Sequence, residues 1–352
     1  MKRREFLKVV GGVAGSYAFG VQTLSGAKEQ RLDVEQEKVA GLPRRVVGRT
    51  GEKVSVVGFP GLALSHYDQG RCTKGLHDAF ERGVNYFDVA PAYGRDGECE
   101  IKMGIGLQGI ERSRIFLACK TMSRDKEGAR IELERSLKRL KTDYFDLYQM
   151  HCIRRPEEVK RALGPNGAIE TFLKAREQGK VKHLGFSAHT TKGALAAIKG
   201  FRFDTIMFPI NFIEIYKVGI GKEVLESAEE YGAAVMAIKP LSMGAWPEGA
   251  KRTRKWWYRT TETQEQTNLA MRFTLSQKCV AAGIPPSFLD LLDKAIEAGK
   301  SYQPITKAEA QKLQETAKTC ESVFEREQVA RGDLREPIYA DSPHECCPGA
   351  YV

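Results

Sequence analysis

The sequence predicts an α/β fold, a (β/α)8 TIM barrel with an N-terminal β-hairpin plug and a C-terminal helix plus irregular tail. Short apolar runs alternate with amphipathic stretches long enough to be crossover helices. There are eight such runs, and near-continuous apolar strands separated by helices are typical of a parallel sheet covered by helices. A chain of 352 residues can form such a barrel as one domain.

The predicted strands are the apolar runs at residues 54–58, 86–90, 115–120, 145–151, 183–187, 205–210, 234–239 and 280–284. Helices are predicted between them, among others at residues 72–82, 127–140, 169–178, 222–231 and 266–277. In the second of these helices Leu133, Leu137 and Leu140 recur at helical spacing, and charged residues occupy the other side. We therefore expect the leucine side to pack on the barrel.

Two further segments flank the predicted barrel. Residues 45–54 contain a glycine-bearing turn and predict a hairpin that plugs the bottom of the barrel. Residues 306–318 predict one more helix, whereas residues 321–352 have no strong periodicity and are expected to form a tail or lid. The expected organisation is a signal peptide at 1–27, a linker at 28–41, the barrel at 42–300, and a C-terminal helix and tail at 301–352.

The N-terminus resembles a twin-arginine export signal. Arg3 and Arg4 precede a polar residue, Phe6 and Leu7, and residues 9–27 are rich in glycine and too weakly apolar to span a membrane. The resemblance implies a periplasmic or otherwise exported protein that uses the twin-arginine export machinery, without stable membrane insertion. Because that pathway carries folded proteins, a cofactor can be acquired before export. The alternative is a basic cytosolic tail.

The formal net charge of +10 is spread thinly over the chain. The densest basic stretch lies beside three aromatic residues, and the group comprises Lys251, Arg252, Arg254, Lys255, Trp256, Trp257 and Tyr258. Charge next to stacking rings fits nucleic-acid binding. A solvated loop on an enzyme rim explains the pattern as well, and contact with anionic cofactor phosphates explains it better, so no nucleic-acid partner is predicted. With Trp246, these aromatic residues suggest an entrance suited to sugars or flat carbonyls.

The eight cysteines do not form a disulfide scaffold in a chain of this length. Cys99, Cys119 and Cys152 fall in or beside predicted barrel elements and are interpreted as small buried apolar residues. No C-x-x-C spacing occurs, so no metal site is predicted. A redox protein with a metal held by C-terminal cysteines stays open as an alternative, because Cys320, Cys346 and Cys347 lie near the C-terminus.

Polar residues end several predicted strands, at the end of a barrel where the βα loops converge and the chemistry is found. Asp88, followed by Tyr93, ends the second strand, Lys120 the third and His151 the fourth. Ser187 and His189 follow on the fifth, Asn211 on the sixth and Lys239 on the seventh.

These side chains fit the reduction of a carbonyl group. Hydride addition to the carbon places negative charge on the oxygen, so the reaction needs a positioned acid. A free tyrosine has a pKa near 10 and is a poor acid at neutral pH, but a nearby ammonium lowers that pKa. Lys120 is expected to do this for Tyr93, with Asp88 holding the ammonium. His151 is expected to orient the substrate oxygen and help to relay the proton.

The same residues carry a resemblance to the aldo-keto reductase family. Residues 85–94 (Asn-Tyr-Phe-Asp-Val-Ala-Pro-Ala-Tyr-Gly) resemble the family's signature around its catalytic Asp and Tyr, and Lys120 and His151 match its Lys and His. The resemblance covers roughly residues 42–292. It implies an NAD(P)H-dependent oxidoreductase that reduces aldehyde or ketone carbonyls or oxidises the corresponding alcohols, with Tyr93 as proton donor assisted by Lys120, Asp88 and His151.

At the cofactor the sequence departs from the family. The positions that correspond to its cofactor-binding residues are Ser187, Met207, Ile238, Lys239 and Leu241. Ser187 is kept, but the family's Asn, Gln and stacking aromatic are replaced by Ala188, Met207 and Ile238. Residues 281–292 contain no Lys or Arg for a 2′-phosphate, so the cofactor is NADP or NAD without a stated preference; the basic loop at 251–255 is a candidate replacement. The departures motivate an alternative, a catalytically weak or inactive barrel that serves as an exported ligand-binding or redox-sensing protein.

Overall fold

The computed structural model describes residues 37–329 of the chain, without the side chain of Val329. The predicted signal peptide, most of the predicted linker, Cys346 and Cys347 lie outside the described residues.

Eight parallel strands form the barrel, and each is hydrogen-bonded to its neighbours in chain order. They follow a small antiparallel sheet made of β1 (Lys38–Val39), β2 (Leu42–Val46) and β3 (Lys53–Ser55). The barrel strands are β4 (Gly58–Pro60), β5 (Tyr86–Asp88), β6 (Phe116–Thr121), β7 (Phe145–Ile153), β8 (Val181–Ala188), β9 (Thr205–Pro209), β10 (Ala234–Ile238) and β11 (Val280–Ile284). The predicted (β/α)8 TIM barrel is confirmed.

Helices connect the strands and cover the outside of the barrel. They are α1 (Gln69–Glu81), α2 (Glu98–Gly106), α3 (Lys126–Leu140), α4 (Pro156–Leu163), α5 (Ala168–Glu177), α6 (Thr191–Gly200), α7 (Lys222–Tyr231), α8 (Gln264–Leu275), α9 (Leu289–Lys300), α10 (Lys307–Lys318) and α11 (Glu325–Val329). Several begin at a side chain that caps the free amides, as Asp125 does by accepting from the Gly128 amide. Leu133, Leu137 and Leu140 of α3 are buried against the barrel as predicted.

The first barrel strand differs from its prediction. Residues 54–58 are one apolar run in the sequence, but Val54 and Ser55 belong to β3, and the barrel strand β4 begins only at Gly58. The Ser55 hydroxyl donates to the Val57 carbonyl at 2.7 Å, and the Ser55 amide donates to the Asn85 side chain at 2.7 Å. These bonds bend the chain between the two strands, so one run supplies two elements.

The β2–β3 hairpin closes the bottom of the barrel, as the glycine-bearing turn predicts. Val47 and Val54 are fully buried in the cluster that fills the barrel interior, together with Tyr86 and Phe116. Arg45 ties the hairpin to the barrel by donating to the carbonyls of Leu275 and Val280, at 2.7 and 2.8 Å. The interior is therefore a packed core, and in this fold the site is expected at the opposite end.

The barrel closes between its first and last strands through a small number of contacts. Among the described residues, the two edges are joined by one parallel bridge, between Val57 and Gly283, and the Gly283 amide donates to the Val56 carbonyl at 2.9 Å. We call this joint the seam.

After α10 the chain returns to the open end of the barrel. There Glu214, in a π-helical turn after β9, accepts hydrogen bonds from the Ser322 hydroxyl at 2.6 Å and the Val323 amide at 2.8 Å. Burial raises the pKa of Glu214, and these hydrogen bonds oppose that rise. The contact anchors the segment that leads into α11. No helix within residues 37–329 has the length and hydropathy needed to cross a membrane.

Candidate active site

Four polar side chains meet at the carboxyl ends of β5, β6 and β7. The Lys120 ammonium donates to the Asp88 carboxylate at 2.6 Å and to the Tyr93 hydroxyl at 3.2 Å. The rings of Tyr93 and His151 lie edge to face with their centroids 5.6 Å apart. Asp88, Tyr93 and His151 line one cavity at the open end of the barrel, and Lys120 lies behind them with no exposed surface.

Local backbone features aim these groups into the cavity. A turn closed by the Tyr93 amide and the Ala90 carbonyl, 3.1 Å apart, carries the phenol back over the end of β5. In β7 the register shifts between Met150 and Ile153, and Cys152 has a φ of 59°. This bulge re-aims the end of β7, where His151 lies.

The loop that follows β4 forms the near wall of the cavity. Gly61 lies there, and a Cβ on it would come within 2.2 Å of the Asp88 carbonyl oxygen. Only glycine allows the two backbones to approach so closely.

The Asp88 carboxylate is held by several groups while being fully buried. Burial raises its pKa, and the charge and hydrogen bond of Lys120 oppose that rise, helped by the side chains of Gln149 and Tyr86. A buried carboxylate of this kind needs the ammonium as its counter-ion. The pair thus fixes the ammonium beside the phenol.

The residues predicted for the cofactor are only partly brought together. Ser187, Met207, Ile238 and Lys239 line the same cavity as Tyr93 and His151. Leu241 is fully buried in the main core and does not line the cavity.

The cavity wall fits a nicotinamide in part. The Ser187 oxygen accepts from the Cys152 amide at 2.7 Å, and its hydroxyl hydrogen has no acceptor among the described residues, so it can donate to a ligand. Met207 and Ile238 supply apolar surface for a ring, and Lys239 supplies positive charge.

Three polar residues in the cavity wall or connected to it were not predicted as site residues. His189 lines the cavity, with its Nε2 3.4 Å from the Lys239 Nζ. Arg154, after β7, and Glu327, on α11, form an ion pair with Arg154 Nε 2.7 Å from Glu327 Oε1. The sequence does signal His189, since it follows the end of the fifth strand two residues after Ser187, but Glu327 lies in a region without periodicity. Asn211, which ends the sixth run, is structural because it accepts from the Glu214 amide at 3.0 Å.

Aromatic residues form the outer rim of the cavity. Trp256, Trp257 and Tyr258 line it, whereas Trp246 supports it from outside by donating to the Trp256 carbonyl at 2.8 Å. The basic loop is pinned beside this rim, since Arg254 donates twice to Asp290, at 3.0 and 2.7 Å. The predicted aromatic entrance thus has three of its four members in the cavity wall.

The cysteines within residues 37–329 form no metal-binding cluster. Cys99, Cys119 and Cys152 are buried as predicted, and Cys320 is buried against α10. Within residues 37–329, no group of three or more His, Cys, Asp or Glu side chains is placed to hold a metal ion.

A (β/α)8 barrel with Asp, Tyr, Lys and His at its open end defines a class of oxidoreductases. The sequence model of the Aldo/keto reductase family matches residues 65–331. The chain belongs to this family and is an oxidoreductase. The family reduces carbonyl groups with nicotinamide cofactors.

Curated relatives agree with this assignment at low identity. The chain is 27% identical over 217 residues to "Uncharacterized oxidoreductase YqkF" of Bacillus subtilis, which covers 58% of this chain and 67% of the relative. It is 28% identical over 226 residues to "L-galactose dehydrogenase" of Arabidopsis thaliana, with the same two coverages. A "Probable aldo-keto reductase 1" of Glycine max is 28% identical over 56% of this chain, and the match spans 59% of the relative's own length.

Solved structures show the same fold. The holo form of "aldo-keto reductase AKR11C1" from Bacillus halodurans superposes with a TM-score of 0.64 at 24% identity, covering 82% of this chain and 99% of that chain. At this identity the likeness supports the fold alone.

Proposed function

We propose that this chain is an NAD(P)H-dependent reductase of aldehyde or ketone carbonyls, with Tyr93 as its proton donor. The observation that supports the proposal is the contact of one buried ammonium, that of Lys120, with both the Asp88 carboxylate and the Tyr93 hydroxyl. The reverse reaction, oxidation of the corresponding alcohol, uses the same groups.

The proton chemistry follows from these contacts. Tyr93 donates its phenolic proton to the carbonyl oxygen as negative charge develops there. Lys120 stabilises the phenolate that remains, at 3.2 Å from its oxygen. Asp88 keeps the ammonium in place, and His151 donates to the substrate oxygen and orients it.

The cofactor supplies the hydride to the carbonyl carbon. On this chain Ser187, Met207, Ile238 and Lys239 would hold it, since they line the cavity next to Tyr93. The apolar rim of Trp256 and Trp257 would exclude water from the reacting atoms.

The test is the oxidation of NADPH and NADH by the purified protein, followed by absorbance with a panel of aldehydes and ketones. Tyr93→Phe should lower turnover by about 10²-fold or more and keep cofactor affinity within about twofold. Tyr231→Phe makes the same chemical change on the last turn of α7, at the other end of the barrel, and should leave turnover unchanged. Unaffected turnover in Tyr93→Phe would overturn the role of Tyr93.

A second candidate is a barrel that binds a ligand without hydride transfer. It is favoured by Ala188, Met207 and Ile238, whose side chains offer no nitrogen or oxygen atom to a carboxamide. It predicts tight ligand binding with no cofactor oxidation by any carbonyl in the panel.

We further propose that the protein is exported by the twin-arginine machinery and works in the periplasm or outside the cell. Arg3 and Arg4, followed by Phe6 and Leu7, support this. Folded export would allow the nicotinamide cofactor to be loaded before transport.

A further inference from the structure

A buried chain of three side chains runs from α11, in the C-terminal segment, through His189 to Lys239, the residue after β10. The Oε2 of Glu327 lies 3.8 Å from Nδ1 of His189, and Nε2 of His189 lies 3.4 Å from Nζ of Lys239. We propose that this chain makes Lys239 the recognition group for the carboxamide of the nicotinamide, beside Ser187. The inference rests on the proposed function, because it requires a nicotinamide in this cavity.

The chemistry of the ring places the carboxamide among these residues. The carboxamide is bonded to the ring carbon next to the one that gives the hydride, so it must lie close to the carbonyl carbon that faces Tyr93. A buried amide needs hydrogen-bond partners. Besides Asp88, Tyr93 and His151, the polar side chains of the described wall include Ser187, His189, Lys239 and Ser287. Ser187, His189 and Lys239 lie on or just after β8 and β10, the strands on either side of Met207.

The tautomer of His189 follows from the neighbours of its two ring nitrogens. The Glu327 carboxylate lies 3.8 Å from Nδ1 and favours a hydrogen on that nitrogen, which also lies 3.8 Å from the Cys152 Sγ. Nε2 is then an acceptor for the ammonium of Lys239. His189 and Glu327 therefore act as positioning residues, and Lys239 is the group that donates to the carboxamide oxygen.

Lys239 is held in an unusual conformation. Its φ is 59°, in the left-handed region, which costs a non-glycine residue about 1 kcal/mol or more and persists only where the surroundings fix it. Its Nζ lies 5.7 Å from the ring centre of Trp257 and 5.3 Å from that of Phe324. The rings stabilise the cation while it points into the cavity. Only 8% of Lys239 is exposed, and the residue lines the cavity.

The C-terminal segment is built into this site through α11. Besides Glu327, Gln328 donates to the His189 carbonyl at 2.8 Å and accepts from the Thr191 amide at 2.8 Å. Arg154 holds the other oxygen of the Glu327 carboxylate. A helix of five residues is thereby connected, through His189, to the residue that follows β10.

The test compares two ligands that differ only in the nicotinamide. Dissociation constants are measured by calorimetry for the reduced dinucleotide that binds more tightly and for the matching ADP-ribose, which keeps the diphosphate. Lys239→Met should weaken the binding of the dinucleotide about tenfold to 100-fold, since a charged hydrogen bond contributes about 1.5–3 kcal/mol. The same change should alter the dissociation constant of ADP-ribose less than about twofold. Lys222→Met, an exposed lysine at the start of α7, is the control and should change neither.

Glu327→Gln provides a second route, because it leaves Lys239 in place and removes only the charge behind His189. It should weaken the binding of the dinucleotide and not that of ADP-ribose, by a smaller factor than Lys239→Met does. Equal losses of affinity for both ligands in Lys239→Met would mean that Lys239 contacts the diphosphate. Unchanged affinities in both variants would mean that Lys239 contacts neither the diphosphate nor the carboxamide. Each result overturns the inference. A wild-type protein that binds neither ligand overturns the proposed function itself.

Discussion

The Nζ of Lys120 lies 3.2 Å from the hydroxyl oxygen of Tyr93 and has no exposed surface of its own. The buried ammonium of Lys120 needs a counter-ion, and the Asp88 carboxylate at 2.6 Å supplies it. The phenol of Tyr93 in turn needs the ammonium for its acidity. Catalysis and stability are therefore linked at this point of the barrel.

We expect Lys120→Met to lose activity and about 3–5 kcal/mol of unfolding free energy, because it leaves a buried carboxylate without its ammonium. Burial already raises the pKa of Asp88, so the folded state binds a proton more tightly than the unfolded chain. The deficit of the variant should then shrink as the pH falls. Urea unfolding at several pH values measures both effects.

The double variant Asp88→Asn/Lys120→Met is the control. It removes both charges, so it should be more stable than Lys120→Met and lose the pH dependence, while activity stays lost. A double variant as unstable as the single one would contradict a stability cost that arises from the unpaired carboxylate.

Glu214 should make stability depend on pH through the C-terminal segment. Because burial raises its folded pKa above 4.5, its contribution to stability is present below that value and is lost as the pH rises through the folded pKa. The free energy of unfolding of Glu214→Gln relative to the wild type should thus increase from about pH 4 to about pH 8. Glu265→Gln, whose side chain is 87% exposed, should show no such trend. A flat difference for Glu214→Gln would contradict the prediction.

The basic loop should decide the preference between the two dinucleotides. We expect the fourfold alanine variant of Lys251, Arg252, Arg254 and Lys255 to lose about tenfold more affinity for NADPH than for NADH. The reason is that residues 281–292 offer no Lys or Arg to a 2′-phosphate. Arg254→Ala alone removes the ion pair with Asp290, whose pKa Arg254 lowers against partial burial, and should loosen the loop for both cofactors alike. Equal retention of the two cofactors by the fourfold variant removes the hypothesis.

Export should depend on the paired arginines. Changing both Arg3 and Arg4 to lysine keeps the charge and is expected to leave the protein in the cytoplasm, whereas changing Lys2 to arginine should have no effect. Cell fractionation of a host with an intact twin-arginine pathway measures the outcome. Unchanged export of the Arg3→Lys/Arg4→Lys variant would show that another signal directs it.

Much of the barrel can be read from the sequence because each buried strand is a separate apolar run bounded by polar residues. The run at 54–58 shows the limit, since nothing in its hydropathy reveals that the Ser55 hydroxyl bends the chain onto the Val57 carbonyl. That bend depends partly on Asn85, which lies in the next βα unit.

The site follows the same rule. Asp88, Tyr93, Lys120 and His151 lie at or near the carboxyl ends of their strands, so topology brings them to one rim. Glu327 could not be predicted, because a helix of five residues without periodicity carries no signal of where it docks. The chain before that helix is held by Glu214, which accepts from the Ser322 hydroxyl and the Val323 amide.

The seam between β4 and β11 has one bridge among the described residues, between Val57 and Gly283. The cavity wall includes residues from both sides of this seam, namely Pro60, Gly61 and Leu62 on one side and residues 284–287 on the other. A ligand that contacts both sides of the seam would hold β4 and β11 together. Ligand binding should then slow the exchange of the Gly283 amide hydrogen. The barrel with a ligand bound should also resist local unfolding at its first and last strands better than the barrel without one.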